Sequence, residues 1–229
     1  MTTPITVRPS AEASAPLPSN TPSAASLMAD PMPLAYGLFA FALGVYFIRF
    51  ISVDVTTLAA GPTTVGLDYA VLIAGIGQTL AGVLGLIRGI AYPAYVTTIF
   101  GIWLIGFYLL VTSGAESKAF TPDALAWYVL VLIVPVAILA VPAIVHRNYP
   151  FTIAFVALIG LLILLGLGYH DLYGAVATAT KTKGVPQLST AVNLLKASSW
   201  FAFVGALAIW WVFAREVYQT TGVIRRGSN

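Results

Sequence analysis

The sequence predicts an all-α membrane protein with six transmembrane helices, and three observations carry that prediction. Of 229 residues, 59% are hydrophobic and 8% are charged, against roughly a quarter charged in soluble domains. The mean hydropathy of +0.91 leaves too little polar surface to cover a globule in water. Six apolar windows recur along the chain, each near the roughly 20 residues a helix needs to cross a bilayer.

The first window is 34–51. It opens on Asp30-Pro31-Met32-Pro33-Leu34, where Asp is a good N-cap and Pro fits a first helical turn because its missing N–H costs nothing there. Arg49 can snorkel from the other end. The second window, 67–87, closes on Arg88-Gly89. It carries Gly77, Ala81 and Gly85 at spacing four, with Gly82 beside them, and small residues so spaced let helix backbones approach closely in lipid. Gln78 sits near its middle. An unpaired amide in hydrocarbon costs several kcal/mol, so Gln78 either bonds across to another helix or lines a wet pathway.

The third window, 94–112, follows Tyr92-Pro93 and holds Thr97 and Thr98, which can bond their own helix carbonyls or a neighbouring helix. The fourth, 124–145, contains Pro135 and Pro142. Each frees a backbone carbonyl, which is tolerated only against protein or a wet cavity. The fifth, 151–169, follows His146-Arg147-Asn148-Tyr149-Pro150, and the sixth, 197–218, follows a polar stretch over 170–196. Trp103, Trp127, Trp200, Trp210 and Trp211 read as packing or interfacial belt residues.

Residues 1–29 are rich in Ser, Pro, Ala and Thr and read as a disordered tail. Residues 30–219 form one membrane domain, and 220–229 a short tail. Six spans put both tails on one side. That side holds Arg8, Arg88, Arg147, Arg215, Arg225 and Arg226; the other holds Arg49, Lys118, Lys181, Lys183 and Lys196 with Asp54, Asp68, Glu116, Asp123 and Asp171. The two tight connections, at Arg88 and His146-Arg147, are basic without an acid. The expected placement is a cell membrane with both termini cytoplasmic.

Several chemistries are excluded or disfavoured. With no cysteine there is no disulfide, thiolate metal site or cysteine nucleophile. A net charge of +3 does not argue for nucleic acid. There is no His pair at i, i+4, no Gly-x-Ser-x-Gly and no phosphate loop, so neither an enzyme site nor a metal or cofactor is expected. Gly166-Leu167-Gly168 is a lone Gly-x-Gly at a helix end, His170-Asp171 reads as interfacial solvation, and Arg215 and Glu216 as snorkelling residues.

Three stretches resemble the acetate uptake transporter family, which includes the succinate–acetate permeases. Asp30-Pro31-Met32-Pro33-Leu34-Ala35-Tyr36, with Phe39 following, is similar to the family's Asn-Pro-Ala-Pro-Leu-Gly-Leu opening. The run from Ala74 through Gln78 to Leu84 resembles Gly-Gly-x-Ala-Gln-x-x-Ala-Gly, with Arg88-Gly89 after it. The last helix, from Ala197-Ser198-Ser199-Trp200 through Trp210-Trp211 to Glu216-Val217, is the third, and Leu164–Gly168 also fits. The resemblance covers nearly the whole chain after residue 29. It implies a six-helix protomer, a hexameric homo-oligomeric ring, and a solute path through each protomer. An apolar constriction falls on Phe39, Phe100 and Leu158, with Gln78, Thr97 and Thr98 as polar pathway residues. The chain departs from the family at Asp30 for Asn, Ala35 for Gly, Gly85 for Glu, Ile90 for Asn, and Phe100 for Tyr. The loss of that last hydroxyl removes a donor, to which a carboxylate-reading site is sensitive.

The expectation is therefore a transporter or channel for a short monocarboxylate such as acetate, moved with or as its proton. The alternatives are a neutral-solute channel of the urea or amide type, and a partner subunit that kept the fold without transport.

Overall fold

The computed structural model describes residues 30–56, 65–114, 123–221 and 223. Six segments in it are long and apolar enough to cross a membrane, matching the six windows. The helices are α1 (Met32–Ile51), α2 (Val65–Ile87), α3 (Ala91–Leu109, continued by a π-helical turn over Leu110–Gly114), α4 (Ala124–Val131), α5 (Ile133–Val145), α6 (Tyr149–Thr182) and α7 (Ser189–Thr220). Together α4 and α5 make the fourth span. The expected tails, 1–29 and most of 220–229, lie outside the described residues, as do Arg8, Glu116, Lys118, Arg225 and Arg226.

The spans close a ring. α1 packs between α2 and α7, α2 packs on α3, and α6 packs on α7 and on both α4 and α5. Hydrogen bonds from α3 to α4 and α5 complete the circle. The face where α1 begins and α7 ends is the near face; the opposite one is the far face. Large apolar side chains such as Ile73, Leu80 and Ile87 on α2, and Val134, Ile138 and Val141 on α5, point outward and are exposed. Such a surface suits lipid, where apolar exposure carries no penalty.

Local chemistry fixes the ends of the spans. At the start of α1 the Met32 N–H donates to Asp30 Oδ1 at 2.9 Å, so the aspartate caps one of the helix's orphan donors. Three helix ends reverse through a left-handed residue: Gly89 (φ 78°), Arg147 (φ 53°) and Lys183 (φ 53°). In each the next N–H reaches back five residues, Ile90 to Gly85 O, Asn148 to Ala143 O and Gly184 to Ala179 O, at 2.9, 2.8 and 3.0 Å. That is the Schellman closure, in which the reversal satisfies carbonyls the helix leaves open.

The prolines of the fourth span act as their chemistry requires. Pro135 has no N–H to offer the carbonyl of Val131, and α4 stops at Val131. Leu132 tightens its turn, its N–H donating to Val129 O at 3.2 Å. The Tyr128 carbonyl instead accepts the Trp103 indole N–H at 3.3 Å. In the turn before Pro142, the Leu139 carbonyl accepts the Tyr92 hydroxyl at 2.5 Å. Both disrupted turns thus face protein donors on α3.

One boundary differs from the sequence reading. The polar stretch over 170–196 is largely helical: α6 runs to Thr182 and α7 begins at Ser189. Leu188, Ala191, Val192 and Leu195 are buried, a spacing of three and four that places them on one helical face. The stretch is an amphipathic helical hairpin whose apolar stripe is diluted by its polar face, so its average hydropathy looks like a loop. With 34 residues at about 1.5 Å each, α6 is about 51 Å long. The hydrocarbon core is about 30 Å thick, so the hairpin stands clear of it on the far side.

Candidate functional site

Inside the ring lie two cavities, one toward each face. The near cavity, of about 20 Å³, is lined by Tyr36, Gln78, Thr97, Phe151, Phe155 and Ile209, among others. The far cavity, of about 60 Å³, is lined by Tyr46, Val71, Trp103, Phe107, Leu132 and Leu165, among others. A water needs roughly 10–15 Å³ of such space, so the near cavity has room for one small polar group and the far cavity for a molecule of a few heavy atoms. The two linings share Phe39, Phe100 and Leu158 and no other residue. Phe39 on α1 and Phe100 on α3 stack with ring centroids 5.3 Å apart, and Leu158 of α6 closes the third side. The three residues expected to form a constriction therefore sit together where the cavities meet.

Phe100 is held from behind by a contact between α2 and α3. A Cβ on Gly101 would stand 2.5 Å from Thr79 N and Oγ1 and 2.8 Å from Gly75 O. A Cβ on Gly75 would stand 3.0 Å from Gly101 O and from Ile105 N. Gly82 faces Thr98 and Thr97 as closely. The two backbones touch through Gly75, Gly82 and Gly101, and no side chain separates them. Gly77 faces Leu38 of α1, Gly85 faces Met32 of α1 as well as Ala94 of α3, and Ala81 is buried with Met32, Ala35 and Tyr36. The small-residue face read at spacing four is thus the α1 face of α2. Gly82 belongs to the α3 face, with Gly75 and Gly101.

The polar residues divide by place. Gln78 is 1% exposed, lines the near cavity, and its Nε2 has no hydrogen-bond partner among the described residues. Thr97 lines the same cavity, with its hydroxyl donating to the Pro93 and Ala94 carbonyls at 3.0 and 3.2 Å. Thr98 lines neither cavity; its Oγ1 is buried without a partner among the described residues, against Gly82. Asp30, Pro31 and Pro33 shape the start of α1, and Leu34 is 60% exposed on its outer side. Two hydroxyl residues were not anticipated. Tyr36 lines the near cavity and packs edge-on against Phe151. Tyr46 lines the far cavity and bonds Ser198 of α7 at 2.6 Å. Their signal was a run of large residues down one side of α1, Tyr36, Phe39, Leu43 and Tyr46, at helical spacing.

No metal constellation of three or more His, Asp or Glu forms among the described residues. His170 Nδ1 and Asp123 Oδ1 pair at 3.2 Å, with side chains 65% and 53% exposed, outside both cavities.

A ring of six spanning helices around two cavities, with Phe39, Phe100 and Leu158 between them, suits a membrane transporter or channel. A profile of the GPR1/FUN34/yaaH family matches residues 14–224. The chain belongs to this family, the acetate uptake transporters, and is a multi-pass membrane protein. No curated protein and no solved structure matches it.

Proposed function

We propose that the protein passes a short monocarboxylate such as acetate through each protomer, linked to a proton, with Phe39, Phe100 and Leu158 as the constriction. The observation that carries this reading is the sharing of those three side chains between two otherwise separate cavities. Gln78 lies on the near side of them with its amide unengaged. A buried amide without a partner costs about 1–3 kcal/mol, and a solute oxygen accepting from Nε2 offsets that cost only while it is bound. Protomers assemble as a hexameric ring, their exposed apolar faces covered by one another and by lipid. The near face, with Arg88 and Arg147 at its turns, is cytoplasmic.

Uptake of labelled acetate into proteoliposomes, with and without a proton gradient, tests the proposal. Protein-dependent uptake stimulated by an inward gradient supports it. Absence of uptake for acetate, propionate and formate alike would sink it.

One observation favours a second reading. Neither cavity is lined by an Asp, Glu, His, Lys or Arg, which also suits a neutral amide. Competition of acetate uptake by urea and acetamide separates the readings: a channel for amides passes them faster than the acid at neutral pH.

A further inference from the structure

The polar hydrogens around the passage are unevenly placed. In the near cavity Gln78 Nε2 has no hydrogen-bond partner among the described residues, and Tyr36 adds a hydroxyl-bearing side chain to the same lining. In the far cavity every donor is already engaged. The Trp103 indole N–H donates to Tyr128 O at 3.3 Å. Ser198 Oγ donates to Leu195 O at 2.7 Å, so Tyr46 is the donor in its 2.6 Å bond to Ser198 Oγ. The rest of the far lining is hydrocarbon.

A carboxylate offers about four lone-pair sites and no hydrogen. Moved into a space with no free donor it loses its hydration and gains nothing in return, and such a group neutralises rather than staying charged. Among the described residues, none that lines either cavity ordinarily exchanges a proton near neutral pH. α1 presents Tyr36 and Tyr46, α2 presents Gln78, and α3 presents Thr97 and Trp103. The fourth span, α6 and α7 present only apolar side chains. A tyrosine titrates ordinarily near pH 10 and holds its proton at neutral pH. The described carboxylates toward the two faces, Asp30 and Glu216 on the near side and Asp54, Asp68, Asp123 and Asp171 on the far side, lie outside both linings.

We infer that the solute crosses the constriction and the far cavity as the undissociated acid, with the coupled proton on its own carboxyl oxygen and no side-chain relay. The anion takes a proton from water at one mouth, crosses as RCOOH, and returns the proton to water at the other mouth. One anion and one proton move together and no net charge crosses. This rests on the carboxylate reading proposed above and says which chemical form that passage admits.

The test uses the full chain in proteoliposomes, with flux through protein-free vesicles subtracted. Labelled acetate and chloroacetate are compared at one pH and one total concentration, and the potential is clamped with potassium and valinomycin. The expected result is flux that follows the undissociated fraction, lower by about tenfold for each unit by which the acid is stronger, and unchanged by a potential of either sign. Flux driven by the potential, or equal flux for the two acids, would overturn the inference and leave the carboxylate reading standing. No protein-dependent flux of either acid would overturn both.

Discussion

The third span is fastened on its two sides by different means. Against α2 it is held by absence: Gly75, Gly82 and Gly101 carry no side chain, and the two backbones meet. Against the fourth span it is held by additions. Tyr92 reaches Leu139 O, Trp103 reaches Tyr128 O, and the Tyr128 hydroxyl donates to Trp103 O at 2.9 Å. The first seam joins two regular helices and gains dispersion contact from close approach. The second joins α3 to a helix broken by proline, and its aromatic donors reach carbonyls in the disrupted turns. Lipid supplies no hydrophobic pressure to press helices together, so each seam depends on its own local chemistry. A glycine seam fails on any added atom, whereas an aromatic seam fails by one hydrogen bond at a time.

The contrast is broken most sharply at Gly101. Gly101→Val places carbon against Thr79 N and Gly75 O, backbone atoms that cannot turn aside. Overpacking costs about 1–3 kcal/mol, and this site belongs at the top of that range. A fall in melting temperature in detergent, with loss of monodisperse protein, is expected; an unshifted transition would show that α2 and α3 do not touch there. Trp103→Phe acts on the other seam. It keeps most of the ring stacked on Tyr128 but leaves the Tyr128 carbonyl unpaired, at about 1–2 kcal/mol. The same thermal measurement reads it, and its shift should be smaller than that of Gly101→Val.

Gln78→Leu separates function from fold. It removes a buried Nε2 that has no partner among the described residues, so stability holds or rises, while flux falls about tenfold or more with the loss of a solute hydrogen bond. Equal flux in reconstituted vesicles would place Gln78 outside the pathway. Gly77→Ala gives the smallest effect. The added methyl group meets the end of the Leu38 side chain, which can change rotamer, and the expected loss of stability is under about 1 kcal/mol. A shift as large as that of Gly101→Val would erase the distinction between glycines against backbone and glycines against side chain.

The six spans were legible because a bilayer imposes length and apolarity on each one separately. The proline positions were legible, but not the side-chain donors beside them, since nothing local says that Trp103 and Tyr92 of the facing helix donate to Tyr128 O and Leu139 O. Gln78 stood out as a lone amide in an apolar run, but the cavity that it lines is built from four other helices and has no local sequence signal. The Gly75–Gly82–Gly101 seam escaped because its contact crosses two helices, while the nearer pattern of Gly77, Ala81 and Gly85 drew the eye to the α1 face. Phe39, Phe100 and Leu158 were placed by resemblance; composition alone gave no reason to choose them from the chain's many apolar residues. The helices of the hairpin were not legible because averaging hydropathy over a window hides a stripe only a third of a helix wide.

That hairpin has a practical use. A 24.2 kDa chain mostly sunk in a micelle offers little to align against in projection images. Here α6 and α7 leave the bundle without a break and turn at Lys183 and Gly184. A compact soluble domain spliced into that turn through continuous helices would inherit the orientation of both spans, and would serve as a rigid fiducial on the side opposite the α2–α3 and α5–α6 turns.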